Sequence, residues 1–130
     1  MKTRLYLSLT LLASISILFI SCDPIVEEDS CEIFDVIEEI APQCEIPSVC
    51  PPDENSDSYY ILALDGTKYL CDPETASNSN PNGCNEATST FIDEKCGEGV
   101  TAEQRIEIIM QMNVHTQALM ERVRINSICL

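Results

Sequence analysis

The 130-residue sequence has no tryptophan, one histidine, four glycines and only seven Lys and Arg residues. So few basic side chains argue against nucleic acid as a partner, because phosphate contacts need clustered Lys and Arg. Neither a G-x-S-x-G turn nor a phosphate-binding loop occurs, and there is no C-x-x-C pair to build a zinc ribbon or a thioredoxin-type redox couple. His115 stands alone. Its helical neighbours Gln111, Met112, Ala118 and Leu119 supply neither a second metal ligand nor a group to orient the ring as a base. It reads as a surface histidine, and no catalytic residue, metal or cofactor is expected. The length allows one small domain, or one domain with a tether.

Acid and cysteine are abundant instead. The chain carries 22 Asp and Glu, a net charge of −15, and eight cysteines. The start is different in kind: Lys2 and Arg4 precede a run of apolar and small hydroxyl residues over 5–20. A basic segment followed by a short apolar one is the secretory signal pattern, and a permanent membrane span needs about 20 apolar residues. Residues 1–21 are therefore expected to be a signal peptide. Removing the two basic residues would take the net charge from −15 to −17.

The run Leu18, Phe19, Ile20, Ser21, Cys22 resembles the lipobox of bacterial lipoproteins. The resemblance implies cleavage before Cys22 and a diacylglyceryl group on its sulfur. Phe19 departs from the usual aliphatic residue of that pattern, yet it is also too large for the ordinary signal peptidase. Residues 22–29, with Asp23, Glu27, Glu28 and Asp29, read as an acidic tether, and 30–130 as a small cysteine-rich domain. Short acidic runs after a lipidated cysteine resemble surface-export signals of the Bacteroidota type.

With Cys22 lipidated, the disulfide candidates are Cys31, Cys44, Cys50, Cys71, Cys84, Cys96 and Cys129. Seven is odd, so one thiol stays unpaired, and Cys129 near the end of the chain is the expected one. With Cys22 unlipidated, eight cysteines make four bridges. Parity therefore favours a soluble secreted alternative.

Within the domain, a helix is expected over 31–40, with Asp29 and Glu32 forming a capping box and Pro42 ending it. Residues 44–57 read as a proline-broken loop. Asp65 and Gly66 join strands over 59–64 and 67–71 in a two-residue hairpin. Residues 72–99 are rich in Asn, Ser, Thr and Gly and read as irregular, with a short strand at 90–92, ordered by cross-links through Cys71, Cys84 and Cys96. Asn78, Asn80 and Asn82 before Gly83 are similar to an EF-hand loop, but Asn78 and Ser89 replace its first Asp and its closing Glu, so a plain turn is expected. Thr101 and Gln104 form a second capping box for a helix to about residue 126. Its stripe of Ile106, Ile109, Met112, Thr116, Met120 and Val123 should pack over the hairpin.

These features predict an α+β fold: a small disulfide-rich domain with a β-hairpin, a short N-terminal helix and a long C-terminal amphipathic helix. The expected protein is an envelope lipoprotein that binds or scaffolds without being an enzyme. Its one expected partner is the membrane, through the lipid on Cys22, and the outer membrane is favoured over the inner. The alternative is a secreted effector or inhibitor with Cys22 in a disulfide.

Overall fold

The computed structural model describes residues 31–128. They form a small disulfide-rich α+β domain: β1 (Glu32–Ile33), α1 (Val36–Ile40), β2 (Ser48–Cys50), β3 (Tyr60–Leu62), β4 (Lys68–Leu70), a 3-10 turn (Pro73–Thr75), α2 (Asn85–Lys95) and α3 (Ala102–Ile128). The four strands run antiparallel in the order β1-β2-β3-β4.

Register decides which side of the sheet is apolar. Val49, Ile61 and Tyr69 stand opposite one another across β2, β3 and β4, and all three are buried. Because side chains alternate along a strand, this row faces one way, toward α2, where the Tyr69 and Phe91 rings meet edge-on at 5.8 Å. On the opposite face the 51–57 loop gives partial cover, with the Tyr60 hydroxyl donating to Asp53 at 2.7 Å and the Lys68 ammonium 4.5 Å from the Tyr60 ring.

The hairpin forms where it was expected, through a different turn. Gly66 N–H donates to Ala63, Ala63 N–H donates to Thr67, and Gly66 has φ +88° while Asp65 has an ordinary negative φ. A two-residue type I′ loop needs positive φ at both central positions. The connection is a three-residue loop, Leu64 to Gly66, in which only the glycine turns left-handed.

Three further expectations are corrected. The 31–40 helix is only α1, because the Cys31–Cys50 disulfide and the pairing of Glu32 with Val49 draw its first residues into the sheet. β2 interrupts the 44–57 loop between Pro47 and Pro51; neither proline has to donate to the ladder, and Pro47 joins it only through its carbonyl, which accepts from Phe34 N–H at 2.9 Å. The irregular 72–99 stretch contains α2, and no strand lies at 90–92. Ala87, Thr88, Phe91 and Ile92 form its buried face, and disulfides hold both ends, Cys84 to Cys71 and Cys96 to Cys44. Tertiary burial and covalent bracing outweigh a polar, weak helix-forming sequence.

α3 opens as read: Gln104 N–H donates to the Thr101 hydroxyl at 3.1 Å, and Thr101 N–H donates to the Gln104 side chain at 2.9 Å. Its buried stripe is rotated. Ile108, Met112, Thr116 and Leu119 are buried, Ile109 and Val123 partly so, and Ile106 is exposed. α3 packs chiefly on α2 and α1 instead of lying over the hairpin. Gln104 also donates to the Ile40 carbonyl at 2.9 Å, fixing the start of α3 to the end of α1.

Candidate functional site

Cys22, the expected lipid acceptor, and Cys129 lie outside the described residues. The other six candidate cysteines pair as Cys31–Cys50, Cys44–Cys96 and Cys71–Cys84. The first ties β1 to β2 at the point where the chain enters the domain. The second joins the segment after α1 to the end of α2, and the third joins the end of β4 to the start of α2. No described cysteine is left without a partner.

The entry point also holds a group of charged side chains. Glu32 ion-pairs with Arg122 through one oxygen, and its other oxygen lies 3.7 Å from His115 Nε2. The edge of the His115 ring packs against Phe34, with centroids 5.3 Å apart. Its Nε2 is sealed from solvent without a hydrogen-bond partner. Burial pushes the imidazole pKa below its usual value, and the nearby Asp35 carboxylate opposes that shift. His115 is therefore half-buried, which corrects the surface reading. The expectation failed because Phe34, its contact, lies far away in sequence on a segment read as helix. Among the described residues the thiols are all in disulfides and no metal-holding group of His, Cys, Asp and Glu forms. The chemistry open to this cluster is charge pairing between β1 and α3.

A second constellation links the Asn-rich turn to α3. Asn80 accepts from Asn85 N–H at 3.1 Å at the start of α2, and its amide donates to Thr75. Asn82 is buried and donates to the Thr116 hydroxyl and to the Asn113 carbonyl. These oxygens and amides are spent on one another, as in a structural turn. Thr116 lay in the expected stripe, but its polar partner, 34 residues away, carries no local signal.

Beside this turn lies an open cleft of about 410 Å³, with Tyr59, Pro81 and Asn82 on one wall and Gln117, Met120 and Arg124 on the other. That volume is in the range that holds a small ligand. The Tyr59 hydroxyl has its pKa raised by burial, so it stays a neutral donor at physiological pH. Arg124 is held at 2.5 Å by Glu121 across one helical turn. None of these groups except Asn82 is deeply buried. The cleft mixes apolar walls, from Pro81, Met120 and Val123, with the polar groups of Tyr59, Asn82, Gln117, Glu121 and Arg124.

Among the described residues no helix is long and apolar enough to cross a membrane. No protein-family model matches the chain, and no curated protein and no solved structure matches it.

Proposed function

We propose that this chain is a lipid-anchored protein of the bacterial envelope, held through Cys22 and acting by binding or as a structural element. The observation that carries the reading is the basic, apolar, Ser21-Cys22 start joined to a domain whose own six cysteines pair among themselves. A domain cross-linked in this way fits an oxidising compartment, and the six described cysteines are satisfied without Cys22. Activity by binding is supported by the 410 Å³ cleft and by a histidine that faces a carboxylate and a phenyl ring instead of a nucleophile.

One observation favours the secreted alternative. Three internal pairs leave two cysteines, Cys22 and Cys129, and a bridge between them would restore even parity.

The intact mass of the protein from its native host separates the two, measured before and after thiol alkylation without reductant. A chain beginning at a lipid-modified Cys22 and taking up one alkyl group, at Cys129, is the expected result. An unlipidated chain that takes up none until it is reduced would overturn the anchor and leave a soluble four-disulfide protein.

A further inference from the structure

We infer that the free edge of β4 is a docking site for an extended, basic segment of another protein, which adds to the sheet as a further strand beside α2. Hydrogen-bond parity defines the edge. Cys71 N–H donates to the Tyr59 carbonyl at 2.8 Å and Ala63 N–H to the Thr67 carbonyl at 2.9 Å, so residues 67, 69 and 71 turn their main-chain groups toward β3. Bonding direction alternates along an antiparallel strand, and Lys68 and Leu70 therefore turn their N–H and C=O groups away from β3. No described group meets them there, and both residues are exposed. Unpaired main-chain groups along a strand edge are a template for another strand. A groove of about 220 Å³ lies beside this edge, with Tyr69, Leu70 and Asp72 on one side and Glu86, Ala87 and Thr90 of α2 on the other. An incoming strand has main-chain partners on one flank and a helix on the other, the geometry of β-strand addition.

Charge selects the occupant. Asp72 and Glu86 line the groove, and Glu74 stands exposed on the turn that follows β4. Every Lys and Arg of the described residues is spent elsewhere: Lys68 on Asp53, Lys95 on Asp65, Arg105 on Asp93, Arg122 on Glu32 and Arg124 on Glu121. The groove therefore carries uncompensated negative charge, which attracts Lys and Arg and repels an acidic chain. A second copy of this chain is the poorer occupant, since its described residues bring the same carboxylates and no unpaired Lys or Arg. Side chains of an added strand alternate between the two faces of the sheet. The set turned toward α2 meets Glu86 and calls for Lys or Arg. The set turned the other way lies beside Leu70, 58% exposed, and calls for an aliphatic residue. The segment that fits alternates the two. This inference rests on the proposed reading of the domain as a binding module, and it is independent of the anchor at Cys22.

The test uses the full-length chain, processed in and purified from exporting bacterial cells, and a fluorescein-labelled octapeptide of alternating Lys and Val. Fluorescence anisotropy reads the affinity, and amide hydrogen exchange reads the place. The expected result is saturable binding that slows exchange at the Lys68 and Leu70 amides about tenfold or more. The Tyr69 amide, already turned to β3, should not change. Leu70→Pro removes one outward N–H and no bond to β3, so it should weaken binding about tenfold. Glu86→Lys should weaken it about threefold, the size of one exposed ion pair. The matching peptide of alternating Glu and Val should not bind. Absence of binding, equal binding of the acidic peptide, or unchanged exchange at Lys68 and Leu70 would overturn the inference, whether or not the proline variant folds. Protection confined to Tyr59, Asn82 and Gln117 would move the peptide to the other cleft, which overturns the strand site and leaves the binding module standing.

Discussion

Gly83 sits where two backbones nearly touch. Its φ is +68°, and a Cβ placed on it would fall 1.9 Å from the Asp72 carbonyl oxygen, whose own N–H donates to Gly83 at 2.8 Å. Gly83→Ala therefore combines a left-handed strain with a main-chain clash, and we expect a loss of about 3 kcal/mol in a urea titration. A loss below about 1 kcal/mol would show that the two segments can part freely. His115 makes a second prediction. Burial holds its folded pKa below that of the unfolded chain, so the unfolded state binds the extra proton in the window between them. The stability contributed by the neutral ring is complete above the unfolded value of about 6.5 and is lost as pH falls through the lower folded value. Between about pH 7.5 and pH 5, wild type should therefore lose more stability than His115→Gln. Equal losses in the two would show that the imidazole does not set the slope.

α2 is the element that depends most on its surroundings. Its residues are Asn, Glu, Ala, Thr and Ser before the first large apolar side chain, Phe91, and composition alone argues for a loop. The spacing Cys84, Thr88, Phe91, Ile92, Cys96 does follow one helical face, a signal masked because two of its members are cysteines. Cys44–Cys96 closes 52 residues of sequence and Cys71–Cys84 closes 13, so the former constrains the unfolded chain more. Replacing Cys44 and Cys96 together by Ala should cost about 4 kcal/mol, and Cys71 with Cys84 about 3 kcal/mol. Thermal unfolding of the two double variants checks the order, and the reverse order would mean that the shorter bridge is the one nucleating α2. α3 illustrates a different difficulty. Apolar residues lie on two sides of it, Ile108 and Met112 on one and Ile106, Met110 and Val114 on the other. Periodicity announces the helix and its capping box, yet it does not say which stripe meets α1 and α2.

For the whole molecule, charge is the dominant imbalance. With 22 acids and seven bases, the folded chain concentrates like charge that the unfolded chain spreads out. The ion pairs that oppose this, such as Lys95 with Asp65 at 2.5 Å and Lys68 with Asp53 at 3.5 Å, are solvent-screened surface pairs that contribute little. Repulsion outweighs them, so raising NaCl from about 20 mM to about 500 mM should increase the melting temperature by screening it. A fall in melting temperature with salt would mean that the Glu32–Arg122 and Lys95–Asp65 pairs outweigh the net charge.

What the sequence determined by itself was local. The Asp65 and Gly66 turn, the Thr101 and Gln104 cap and the α+β class all follow from residues within a few positions of one another. The Ser21-Cys22 start and the abundance of cysteine are equally local, and they carry the proposed anchor. Tertiary structure decided what depends on distant partners: which cysteines pair, that Glu32 leaves a helix to join β1, that α2 forms, and that His115 is sealed against Phe34. In each case the deciding energy comes from burial or a covalent bond between segments far apart in the chain, and local spacing carries no record of it.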